Sequence, residues 1–261
     1  MQSWSRMLAT EARLVAREIA HSPALRRAAL VLLPYIGVII GLDVAGHYGS
    51  LTGAELPVQF QISQDRSFGE YLEYAFTGAI AVLLLVLWRR TGATAYLANA
   101  VLFVWLTADN ALGFHESFGH RLGGLLPIPA AGPVQANDIG EAVLFGAVGL
   151  LWAAGLLSSL RAAALRPVIH AVILAACVVA AAFFGVAVDM AVVWGERTLP
   201  MLELLTWLED GGEFAMICLA FFLAVGLFDG ESQHWRAPVG QNAGAQGQAQ
   251  DSDDLTRSAV R

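Results

Sequence analysis

Six apolar runs of about twenty residues each divide this chain, at 28–48, 70–88, 94–114, 139–160, 167–194 and 205–228. A helix rising about 1.5 Å per residue needs a run of that length to cross ~30 Å of hydrocarbon. The composition agrees: 57% of the 261 residues are hydrophobic, only 14% are charged and the mean hydropathy is +0.59, which excludes an ordinary soluble domain of this size. The expected fold is all-α, a polytopic membrane helix bundle with six transmembrane helices. The lipid bilayer is its first partner, and nucleic acid is not expected beside a net charge of −7.

Arginine carries the whole orientation signal, because the chain has no lysine. Twelve arginines fall on one side of the alternating spans: Arg6, Arg13, Arg17, Arg26, Arg27, Arg89, Arg90, Arg161, Arg166, Arg236, Arg257 and Arg261. Only Arg66, Arg121 and Arg197 fall on the other. Both termini are therefore expected in the cytoplasm of a bacterial cell, with the protein in the inner membrane. Residues 1–27 read as a basic amphipathic lead-in, with Trp4, Leu8, Val15 and Ile19 at near-helical spacing, suited to a membrane surface or to a solvated helix. That segment is no cleavable signal, since the run after it is a full span carrying Asp43. Residues 28–229 form the transmembrane domain, and the Gly- and Gln-rich tail 230–261 is expected to be disordered. Cys177 and Cys218 lie in mid-span and read as small apolar residues.

The acids repeat. The even-numbered spans open alike, as "EYAFTGAIAVLLLVLW" from Glu73, "EAVLFGAVGLLWAAGL" from Glu141 and "EFAMICLAFFLAVGLF" from Glu213, each with further acids just upstream in "EYLE", "DIGE" and "EDGGE". The odd-numbered spans close alike on Asp43, Asp109 and Asp189, in "IIGLDVAGHYGS", "WLTADNALGFHE" and "GVAVDMAVVWGE". The bundle thus reads as three pseudo-repeated helical hairpins related by an axis along the membrane normal. All six groups then sit toward the outer face. Counted from Asp43 to Glu213, the outer half holds fifteen acids and three arginines, net −12, against net +5 in the cytoplasmic segments. Such a mouth draws cations. The acids are shallow: Glu73 lies sixteen residues from Arg89, ~24 Å along a helix and about one turn below the outer boundary.

Ionisable groups inside a span are functional suspects. Asp43 and His47 are four apart and share a helical face, as do Glu116 and His120, and Asp109 aligns with Glu116 seven residues on. Imidazoles and carboxylates converging from several helices suit a divalent metal: zinc or iron where histidine joins, manganese or calcium with carboxylates alone. The candidate ligands are Asp43, His47, Glu73, Asp109, His115, Glu116, His120, Glu141, Asp189 and Glu213. The string "HESFGH" is not the zincin motif, because His115 and His120 are five apart and diverge by ~140° on a helix. Dipole compensation and capping account for acids in a first helical turn. They leave Asp43 and Asp109, at helix C-termini, unexplained.

The pair "LTADNALGFHESFG" and "LEDGGEFAMICLAF" resembles a pattern of uncharacterised bacterial multi-pass membrane proteins, in which one span ends in Asp-Glu followed by His-Glu and a later span opens with acids. Asn110 stands here where that pattern has its glutamate, and the resemblance implies no activity. A lesser similarity, to membrane hydrolases of the alkaline ceramidase kind, lies in gathering His and Asp at one membrane face. Those hydrolases use seven spans and a late two-histidine motif, which are lacking here.

Three functions are compatible with these features. The first is an acidic, His-containing pocket at the periplasmic side that binds a cation or divalent metal for transport or sensing. The second is a metal-dependent hydrolase at the outer leaflet, with Glu116 or Glu213 as base. The third is an accessory or scaffold subunit whose acids only set topology.

Overall fold

Ser22 and Pro23 make the first boundary. Ser22 is extended and its hydroxyl accepts the Leu25 N–H, while Pro23 opens the helix at the one position where its missing N–H costs nothing. They separate α1 (Gln2–His21) from α2 (Pro23–Thr52). The computed structural model describes residues 2–54, 56–125, 136–160, 164–188 and 198–236, which include no strand. After a 3₁₀ turn at Val58–Phe60 come α3 (Phe68–Thr91), α4 (Thr94–Leu112), α5 (Phe114–Leu125), α6 (Ala136–Leu160), α7 (Leu165–Phe183) and α8 (Leu199–Arg236). Glycines in the left-handed conformation close α2, α3 and α4, at Gly53, Gly92 and Gly113, where a side chain would be strained.

Six of these helices, α2, α3, α4, α6, α7 and α8, are long and apolar enough to cross a membrane. Their outward surface is that of a protein solvated by lipid: Leu30, Leu150 and Leu151 are 78%, 74% and 75% exposed. The chain is a multi-pass, all-α membrane bundle, as its apolar runs predict.

Two clusters form the interior. One joins α3, α4, α7 and α8 through Ile80, Leu84, Phe103, Leu174 and Ala220, and Val15 of α1 enters it. The other joins α2, α3 and α8 through Ile39, Phe76 and Phe214. Phe76 and Phe221 stack at 4.2 Å between centroids. Polar ties cross the apolar interior: Thr107 donates to Thr77 at 2.8 Å, Trp152 to Asn99 at 3.1 Å, and Tyr96 meets His170 at 2.8 Å.

The structure departs from the sequence expectation in four places. Helix α1 packs on α7 and α8 through Val15, only 1% exposed, and Ile19, so the later half of its apolar face is covered by protein while Leu8 stays 41% exposed. Helix α8 runs 38 residues to Arg236, beyond the expected end at 228, because its polar last turns have distant partners. Asp229 takes the Ser22 hydroxyl at 2.6 Å and Glu231 takes Arg166 Nε at 2.6 Å. Residues 237–261 of the expected disordered tail lie outside the described residues. The third span stops at Leu112, where Gly113 turns the chain into the separate helix α5. Among the expected hairpins, α4 packs on α6 and α7 on α8, but α2 packs chiefly on α8, and α3 on α4 and α8.

Candidate functional site

Helix α3 begins with a capping exchange whose returning bond reaches the residue before the N-cap. Ser67 accepts the Glu70 N–H at 3.1 Å, and the Glu70 carboxylate turns back to the N–H of Arg66, a non-glycine residue held at φ 60°. This turn places Glu70 at the mouth of a cavity and Glu73, one turn on, at its base. The cavity measures about 810 Å³ and lies between the 62–66 loop, α3, the α4–α5 junction and α8. Six carboxylates line it, from Asp65, Glu70, Glu73, Glu116, Asp210 and Glu213, beside the cationic or titratable Arg66 and His115.

Glu73 is the unusual member. It is 8% exposed, and among the described residues its carboxylate has neither a hydrogen bond nor an ion pair. Among the described residues the charges that act on it most strongly are those of Glu213, Asp210 and Glu70, all negative. Glu213, from α8, rests its Oε2 against Gly185 so closely that a Cβ added there would fall 2.8 Å away. Gly185 belongs to Phe184–Val188, a π-helical turn ending the described part of the fifth span. Such turns concentrate at functional positions.

The two aspartates expected at helix C-termini are engaged in building the cavity wall; Asp109 does lie in the last turn of α4, but α2 continues to Thr52, so Asp43 lies nine residues before its end. Asp43 is 2% exposed, and its Oδ1 accepts the Ile62 N–H at 2.8 Å, which fixes the loop carrying Asp65 and Arg66. His47 bridges it to the last span, with Nε2 3.6 Å from Asp43 Oδ1 and Nδ1 2.6 Å from Glu203. Asp109, fully buried, accepts the His115 N–H at 2.9 Å through Oδ1 and meets His115 Nδ1 at 3.0 Å through Oδ2. It thereby caps the start of α5 from the end of α4. That hydrogen bond holds the His115 imidazole above its usual pKa, against the opposing effect of burial.

The remaining sequence candidates disperse. Glu116 is exposed on the cavity rim. Because Gly113 interrupts the helix, the seven-residue alignment of Asp109 with Glu116 does not form. His120 meets the Asn137 side chain at 2.9 Å between α5 and α6. Glu141 packs over Gly119, where a Cβ would fall 2.7 Å from its Cγ. Asp189 lies outside the described residues. Among the described residues, no three His, Cys, Asp or Glu side chains gather as a metal centre would require. Of the three glutamates the repeat equates, two reach the cavity and one does not.

Sequence reasoning missed Glu203, Tyr74 and Phe145. Glu203 lies just before the expected start of the sixth apolar run at 205, in the first turns of α8. Tyr74 donates to the Asn110 carbonyl at 2.9 Å, tying α3 to α4 beneath the mouth. Phe145 lies edge-on to Trp105 at 5.8 Å and 5.3 Å from the His115 ring. An acid in a mostly apolar turn was the only signal for Glu203, and nothing local marked the other two.

Fold and site together define a class: a six-span helical membrane protein with an acid-lined cavity at one end of the bundle. The chain belongs to the family described as Domain of unknown function (DUF8692), whose model matches residues 68–227. That range runs from the first turn of α3 nearly to the end of α8 and contains Glu73, Asp109, His115 and Glu213, while Asp43 and His47 lie outside it. No curated protein and no solved structure matches the chain.

Proposed function

We propose that this protein binds a cation in the acid-lined cavity, in the service of transport or sensing. The observation that carries this reading is Glu73, a carboxylate buried at the base of the cavity with other acids for charged neighbours. A buried anion without a counter-charge is costly, and a bound cation removes the cost. The volume of about 810 Å³ exceeds the need of a bare ion and suits a hydrated or organic one. The metal-hydrolase alternative requires a converged ligand set that the described residues do not provide.

The arginine distribution supports placing the cavity at the outer face of a bacterial cytoplasmic membrane, with both termini inside. Cations entering from the periplasm would then meet the −12 half of the chain first.

The test is titration of the protein in nanodiscs of zwitterionic lipid, at low salt, with sodium, manganese(II) and methylammonium in turn. At least one is expected to bind saturably, and Glu73→Gln and Glu213→Gln should each weaken it at least tenfold. Absence of saturable binding by all three, or binding indifferent to both substitutions, overturns the reading.

A further inference from the structure

A second cavity, of about 340 Å³, lies in the apolar part of the bundle between α4, α6, α7 and α8. Leu106, Trp152, Val178, Ala182 and Ile217 form much of its wall. Asn110, Phe145 and Glu213 line this cavity and the acidic one alike. A single carboxylate therefore stands where a charged chamber meets a greasy one.

Resting on the cation-binding reading, we infer that the ligand is an amphiphilic organic cation, with its ammonium head at Glu73 and Glu213 and its hydrocarbon portion in the apolar cavity. Three observations point the same way. Glu73 is more than nine-tenths buried, faces the head position and lacks a partner among the described residues. Phe145 stands at the junction with Trp105 5.8 Å away, and aromatic faces attract alkylammonium heads better than they attract strongly hydrated inorganic ions. Among the described residues the apolar cavity offers an ion alone one carboxylate, Glu213, with the neutral side chains of Asn110, Thr77, Cys177 and Met216, whereas its mostly apolar wall accepts a chain entering past that carboxylate.

The wall can be altered without touching the head site. Gly149 lines the apolar cavity, and a Cβ built on it meets nothing within 4 Å, so Gly149→Leu fills the chamber from α6. Ala182→Leu fills it from α7, should the first variant fold poorly.

The experiment measures binding of methylammonium, butylammonium and hexylammonium to the full chain in nanodiscs, corrected with protein-free nanodiscs. In wild type each added methylene is expected to tighten binding by up to about fourfold until the cavity is full. In Gly149→Leu or Ala182→Leu, hexylammonium should lose at least tenfold while methylammonium stays within twofold. If hexylammonium binds no tighter than methylammonium in wild type, or only inorganic ions bind, the amphiphile proposal fails and the cation site stands. If the filled variants keep the full chain-length gain, the apolar cavity is not the chain's place and the proposal is likewise overturned. If no cation of either kind binds, the cation-binding reading itself has failed.

Discussion

The two ends of the bundle hold similar charges and treat them in opposite ways. At one end Arg166 is surrounded by acids, with Nε 2.6 Å from Glu231, Nη1 3.2 Å from Glu11 and Nη2 paired with Glu18. Those acids come from α1 and α8, so one guanidinium from α7 pins the amphipathic first helix to the last span. At the other end Glu73 and Glu213 line a cavity where, among the described residues, Arg66 and His115 are the cationic or titratable basic side chains at the wall. The first arrangement is internally closed, because cation and anions were both supplied by the fold. The second leaves carboxylates facing a space, which a cation from outside would complete under the proposed function.

If that contrast is right, the Arg166 end is structural and its loss is the largest effect to expect. Arg166→Ala should destabilise the protein by about 3 kcal/mol, the low part of the range for removing one partner of a buried ion pair, since the Arg166 side chain keeps 18% of its exposure. It should also free α1, seen as faster trypsin cleavage after Arg13 and Arg17 in nanodiscs. Wild-type melting with an unchanged digestion pattern would show that apolar docking of Val15 and Ile19 holds α1 by itself.

The cavity carboxylates should behave in the reverse sense. Neutralising one member of a group of like charges relieves repulsion and desolvation together. Glu73→Gln and Glu213→Gln are therefore expected to melt no lower than wild type in the absence of added cation, with a gain of about 1 kcal/mol, while losing the stabilisation that a saturating ligand confers. A clear fall in melting temperature for either would mean that these glutamates hold the fold, and the two ends would then be alike.

The fold was largely legible because the length and polarity of a span are local properties. Four of the six apolar runs lie within long helices; the third overruns α4 by two residues, and the fifth runs past α7 and the π-helical turn to positions outside the described residues. The errors fall where a distant residue decides a boundary. Nothing near Gly230 announces that the helix continues, since the cause is Arg166, sixty-five positions away from Glu231. The end of α4 was marked in the sequence by Gly113, a residue suited to the left-handed turn, but the apolar Phe114 after it favoured reading one continuous span.

The site was legible in its composition and not in its division of labour. The acids of the outer half were identified, and two of the three repeat-equivalent glutamates do converge. Asp43 and Asp109 stood out because a helix C-terminus disfavours an acid. Their carboxylates instead take backbone N–H groups from beyond their own helices, at Ile62 and His115. That compensation depends on how the loops return, which periodicity does not encode. Glu73, by contrast, looked explicable as an acid near a helix start, and only the packing around it reveals that it lacks a partner among the described residues.

The smallest expected effect probes whether the open end is as fixed in geometry as the closed one. Gly185 leaves room for the Glu213 carboxylate on the π-helical turn, and a Cβ would intrude to 2.8 Å from Oε2. Gly185→Ala must therefore shift the carboxylate by several tenths of an ångström while leaving its charge in the cavity. If Glu213 is positioned to meet a cation head, this displacement should weaken methylammonium about threefold, or about 0.7 kcal/mol, with little change in melting temperature. Unchanged affinity would show that the carboxylate follows its ligand freely. The acidic end would then recognise charge alone, whereas the Arg166 end, with three carboxylates directed at one guanidinium, recognises geometry as well.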